Sequence, residues 1–147
     1  MATKSELLQF DFTDYYQNEM GTGLVRSWVG FEKPVMPDRL AQIKLTTNEM
    51  EQRFLDEHGN RRLNLDPGIL SLHNLVLAST KDYAHRICLA DGIYAELTLI
   101  YRSGGYRALE WTYPDYQTET CGRFLAESRD RLVEKQKRLL TSPGTSG

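Results

Sequence analysis

The 147 residues are 40% hydrophobic and 26% charged, with a net charge of −2, so the chain suits one domain and carries no basic field for a phosphate backbone. That disfavours nucleic acid as a partner, and no run approaches the roughly 18 apolar residues of a membrane span. "MATKSELLQF" has no apolar signal core, and Cys88 and Cys121 lie far apart with no CxxC, so a cytoplasmic protein with buried reduced thiols is expected.

In chain order, "LLQFDF" (7–12) alternates enough for a short strand, and the glycines of "TDYYQNEMGTG" (13–23) mark a turn. "LVRSWVGF" (24–31), rich in branched and aromatic residues, reads as a strand that "EKPVMPD" breaks. Pro37 and Asp38 can open a helix, because proline loses nothing where the first turn has no hydrogen bond to make. Apolar positions from Leu40 to Leu55 recur at helical spacing. "LTTN" interrupts them, and Thr46-Thr47-Asn48-Glu49 fits a capping box, which predicts two short helices or one kinked helix ending near "DEHGN".

The second half is strand-rich. "DPG" (66–68) is a turn, and "ILSLHNLVLAS" (69–79) reads as one buried strand. Asp91-Gly92 between alternating runs predicts a two-residue hairpin, and Ser103-Gly104-Gly105 a second one. Over 118–140, Cys121, Phe124, Leu125, Ser128, Leu132 and Leu139 trace one stripe of a helix that lies on the sheet. The class is therefore α+β: a mostly antiparallel sheet with hairpins in the second half, packed against a long C-terminal helix and one or two short helices. A single domain is expected over 1–140, with 141–147 as a disordered tail.

The hairpin locates a candidate site. With Asp91 and Gly92 as the two loop residues, Ile87 faces Glu96 and His85 faces Thr98. One face then carries His85, Ile87, Leu89, Tyr94, Glu96 and Thr98. The other carries Arg86, Cys88, Ala90, Ile93, Ala95, Leu97 and Leu99, and should pack on the helices. In that register His85 and Glu96 are diagonal neighbours, and a one-residue slip would separate them and bury Glu96. A carboxylate beside an imidazole fixes the tautomer and raises basicity, although the pair also occurs as a plain solvated cross-strand contact. The preceding Ser79, Thr80, Lys81 and Asp82 supply the hydroxyls and ammonium that hold a phosphate or carboxylate, without matching any Walker or dinucleotide spacing. Arg86, on the apolar face, must find an acid, reach an edge or contact a ligand.

Elsewhere, Asn64 and Asp66 sit at a turn, where turn-making alone explains both. Asp11, Asp14, Tyr15, Tyr16 and Glu19 crowd one segment, either as a cation site or as an acidic, capped turn. Trp111, Tyr113 and Tyr116 surround a proline and form either a pocket wall or a cover over a sheet edge. His58 reads as an exposed turn residue, and His73 has no evident partner.

Five blocks, "FDFTDYYQNEMG", "IKLTTNEME", "RRLNLDPGIL", "LVLASTKDYAHRICLADGIYAELTLIYR" and "WTYPDY", resemble in sequence and order a bacterial family of unknown function, DUF4416, across roughly residues 10–116. The resemblance implies no activity. It implies that members begin with a further strand and helix, so this chain is expected to be a shortened member. It also marks Asp11, Thr13, Asp14, Tyr15, Lys44, Thr47, Asn48, Asn64, Asp66, Lys81, His85, Arg86, Glu96, Tyr113 and Asp115 as residues of family blocks.

Three functional readings follow. In the first, an anionic small molecule is bound or transformed. Lys81, Arg86 and Lys44 neutralise it, His85 oriented by Glu96 handles a proton, and Asp66 and Asn64 orient substrate or a metal; Thr80, Asn48 and Tyr113 complete the ligand contacts. In the second, the aromatic loops 13–23 and 110–116 dock a protein partner, which requires Tyr15, Tyr16, Trp111 and Tyr113 exposed with no polar hollow beneath. In the third, Asp11, Asp14, His85 and Glu96 support metal-dependent hydrolysis, although spacing reveals no ligand set. The sequence names no cofactor.

Overall fold

A computed structural model describes residues 2–13 and 15–141. The first third is made of short pieces. Strand β1 (Ala2–Lys4) pairs with β4 (Val29–Phe31), and β2 (Leu8–Gln9) pairs with β3 (Val25–Arg26); the four-residue helix α1 (Gln17–Met20) lies between them in sequence. The strand expected over 7–12 thus shrinks to two residues, and that expected over 24–31 splits in two.

A 3-10 turn at Pro37–Arg39 leads into helix α2 (Leu40–Gln52), which runs without a break. The second N-cap expected at Thr46 does not form. The hydroxyls of Thr46 and Thr47 donate back to the carbonyls of Gln42 and Lys44 at 3.0 and 2.9 Å, so they bond within the helix that they were expected to interrupt.

The main sheet contains β5 (Gly68–Leu70), β6 (Asn74–Ser79), β7 (Arg86–Ala90), β8 (Ile93–Arg102) and β9 (Gly105–Ala108). All its pairings are antiparallel, in the order β5-β6-β8-β7, with β9 also on β8. The single strand expected over 69–79 is a hairpin: the Ser71 hydroxyl accepts the amides of His73 and Asn74 at 3.1 Å and turns the chain. Both later hairpins form as expected. Asp91 and Gly92 have φ of 52° and 75°, Ser103 and Gly104 of 53° and 80°, the left-handed pairs that two-residue turns demand.

The sheet is packed on both faces. Leu75 of β6 and Leu99 of β8 cluster with Cys121 and Leu125 of the long helix α3 (Glu119–Thr141), and Leu77 packs at the margin of this cluster. Val76 and Ala78, one residue out of step and so on the opposite face, meet Leu40, Ala41 and Ile93 beneath α2. The α3 stripe buries Cys121 and Leu125 but leaves Leu139 exposed, because the helix outruns the sheet. The tail from 142 lies outside the described residues. Cys121 is buried as expected, whereas Cys88, on edge strand β7, is exposed. Among the described residues no helix is long and apolar enough to cross a membrane.

Two bulges decide what reaches the site. An extra residue in β7, Leu89, lies between the pairs Cys88–Tyr94 and Ala90–Ile93, so Arg86 rather than Ile87 stands opposite Glu96. A second extra residue, Thr98 of β8, lies between Leu75–Leu99 and Val76–Leu97. The first bulge corrects the expected faces. Arg86 and Cys88 share the side of Tyr94 and Glu96, and Ile87 joins Ala95 on the other side, where it is 73% exposed.

Candidate functional site

Helix α3 covers only the Leu75–Leu99 end of its sheet face. The other end, with Leu77, Ser79 and Glu96, is covered by loops, and between loops and sheet lies a cavity of about 360 Å³. Its floor is sheet, from Leu77 to Lys81 with Arg86 and Glu96. One wall is the segment Phe10–Tyr16 and another is Tyr113–Tyr116, while Lys44, Arg61, Asn64 and Asp66 close a third side.

Burial of Glu96 (3% exposed) follows from this roofing. Its Oε1 accepts from Arg86 Nε at 3.2 Å and meets His85 Nε2 at 2.7 Å, and its Oε2 accepts from the Thr98 hydroxyl at 3.3 Å. The slip that should have parted His85 from Glu96 did bury the carboxylate. The imidazole still reaches it, because His85 precedes β7 and is not bound to the strand's pleat. Its ring stacks on Trp111, centroids 5.0 Å apart and planes 16° from parallel, and Trp111 Nε1 donates to the Leu97 carbonyl at 2.7 Å. With Glu96 ionised, the contact places the proton on Nε2. Arg86 has found the acid that its burial required, and its Nη1 also donates to the Lys81 carbonyl at 3.2 Å.

Two further arginines organise the loops. Arg26 bridges Asp115 at 2.9 Å and Asp66 at 3.1 Å. Burial works against its charge, but Tyr116, Asp66 and Asp115 outweigh that and hold its pKa above the ordinary value. Burial also raises the Asp115 carboxyl, against the opposing pull of Arg26. Arg61 grips Glu19 through Nε–Oε1 at 2.8 Å and Nη2–Oε2 at 3.2 Å, and meets Asn64 and Glu51 at 3.0 and 3.5 Å. That fork holds the Glu19 carboxyl below its usual range and raises Arg61.

The two lysines differ from the arginines. Lys44, 7% exposed on α2, donates to the Leu65 carbonyl at 3.1 Å, and Lys81 donates to the Tyr15 hydroxyl at 2.7 Å. Among the described residues neither ammonium forms an ion pair. The hydrogen bond and charge of Lys81 pull the Tyr15 phenol below its ordinary pKa, and burial pushes that of Tyr16 up.

Of the residues singled out in the sequence, Lys44, Asn64, Asp66, Thr80, Lys81, Arg86, Glu96 and Tyr113 all line this cavity. His85 does not; it reaches the lining only through Glu96. Asn48, on α2, is not part of the lining either. Arg26 and Arg61 were missed. For Arg26 the signal was a guanidinium inside the apolar run "LVRSWV", which has to find acids; Arg61 lies 42 residues from Glu19, and no local pattern announces that pair.

Tyr15 and Tyr113 are 63% and 55% exposed, but a polar hollow lies beneath them and Trp111 is half-buried. Among the described residues no three His, Cys, Asp or Glu side chains gather as metal ligands; Asp14 lies outside those residues.

A family model, a domain of unknown function called DUF4416, matches residues 1–132. The chain belongs to the DUF4416 family. No curated protein and no solved structure matches it. The match spans both walls of the cavity, so the loops 10–26 and 113–116 and the sheet floor all fall within the family region.

Proposed function

We propose that the protein binds a small anionic molecule in the cavity between the sheet and the loops 10–16 and 113–116, in a cytoplasmic setting. One observation carries this reading. Among the described residues, all three arginines on the cavity wall hold carboxylates, whereas Lys44 and Lys81 hold only a carbonyl and a phenol. An ammonium has three protons to donate, and burial without a counter-charge is costly, so a ligand anion supplies what Lys44 lacks. Thr80, Asn64 and Tyr113 add hydrogen-bonding groups on the same wall.

Should chemistry follow binding, Glu96 and Asp66 are the carboxylates that face the ligand from the sheet and the adjoining loop, and His85 is a positioning residue acting through Glu96. Calorimetric titration with inorganic phosphate and with small phosphorylated and carboxylated molecules tests the binding. Saturable one-to-one binding, lost in both Lys44→Met and Lys81→Met with the fold intact, is expected. Absence of binding by every anion, or binding unchanged in both variants, overturns the proposal.

A further inference from the structure

The cavity wall opposite the sheet is aromatic to an extent that the fold does not explain. Four of the seven residues from Phe10 to Tyr16 are aromatic, and all four line the cavity together with Tyr113. None of the five belongs to either hydrophobic core cluster. Phe12, Tyr15 and Tyr113 are 38%, 63% and 55% exposed, so their apolar area is poorly used by the folded chain itself.

The rings form a connected set. Phe10 meets Phe12 and Tyr16, each at 5.8 Å, and Tyr15 meets Tyr16 at 5.0 Å, edge or tilted against face. Two ring faces are already taken by cations: the Arg26 guanidinium lies 4.8 Å from the Phe10 centroid and the Lys81 ammonium 4.7 Å from that of Tyr15. Among the described residues, no ring or cation contact of this kind involves Tyr113, and Phe12 is engaged only with Phe10. These two, the partly exposed rings without a cation, are the ones a ligand can cover.

Resting on the anion-binding reading, we infer that the ligand is an anion carrying a flat aromatic or heteroaromatic ring. Its charged group meets Lys44 and Lys81, and its ring packs on Phe12 and Tyr113. A bare inorganic anion leaves most of a 360 Å³ cavity unfilled, whereas a ring with one charged substituent uses both kinds of wall.

Phenyl phosphate and inorganic phosphate, titrated calorimetrically into the same protein, separate the two claims. The inference expects phenyl phosphate to bind about tenfold more tightly. Phe12→Ala should erode that advantage while leaving affinity for inorganic phosphate unchanged, and Tyr113→Ala should erode it more than Tyr113→Phe, which keeps the ring. Both side chains are well exposed, so the variants should fold, which an unchanged Tm would verify. Equal affinity for the two probes, or an advantage that survives both substitutions, overturns the aromatic inference and leaves anion binding standing. Binding of neither probe removes the anion reading and this inference with it.

Discussion

The two walls of the cavity are built by different physics. The sheet wall is built from three hairpins, β5-β6, β7-β8 and β8-β9, joined through the β6–β8 pairing, with Leu75, Leu99, Cys121 and Leu125 packed behind it. The loop wall has strands of two or three residues, and its shape is held by Arg26 between Asp66 and Asp115, and by Arg61 on Glu19 and Glu51. One wall depends on apolar burial and the other on long-range ion pairs. A wall of the second kind is easier to open.

The largest expected effect tests the loop wall. Arg26→Met leaves Asp115, 3% exposed, without its partner and should cost about 3–5 kcal/mol in chemical denaturation. The sign with pH is distinctive. The folded-state pKa of Asp115 is already raised by burial and loses the opposing pull of Arg26, so the carboxyl protonates more readily in the folded than in the unfolded chain. The deficit of the variant should therefore narrow as pH falls through that raised value. A deficit constant with pH would show that the ion pair does not organise this wall.

Leu125→Ala, at 3% exposure beneath the sheet wall, should cost about 2–5 kcal/mol with no such pH dependence. A smaller loss than that of a surface substitution would mean that α3 does not secure this face.

The smallest effect is expected at Glu19, whose pair with Arg61 is partly exposed. Glu19→Gln should lower stability by about 1 kcal/mol or less. Its carboxyl pKa is depressed in the folded state, so this contribution is present above the ordinary value of about 4.5 and is lost as pH falls through the folded value. Protection against hydrogen exchange, relative to the intrinsic rate at each pH, should fall first in residues 15–21, in acid for the native chain and at neutral pH for the variant. Uniform quickening across the sheet would contradict the division into two walls.

This division also explains what could be read from the sequence. The hairpins at Asp91-Gly92 and Ser103-Gly104 and the stripe of α3 are local signals, and each element formed where its turn residues or periodicity placed it. The α+β class followed from them. Leu89 and Thr98 bulge without any residue that marks a bulge, so the register near Glu96 was legible only to within one residue. The continuity of α2 was hidden because threonine hydroxyls serve equally as caps and as back-bonded groups, and packing of Leu40 and Ala41 chose between them. Lys44, Lys81, Arg86 and Glu96 could be named because polar groups interrupted apolar runs or fell in family blocks. Arg26 and Arg61 act across 40 and 42 residues, where pattern has no reach.

In the proposed site, the charges of Lys44 and Lys81 are the ones that meet the anion. Nuclear magnetic resonance of the lysine ammonium groups, assigned with Lys44→Met and Lys81→Met, reads both during a titration with phenyl phosphate. The account predicts that these two signals move together, saturably and with one dissociation constant, while those of Lys4, Lys33, Lys135 and Lys137 stay in place. Movement spread over the surface lysines, or no saturable change at Lys44, would contradict it.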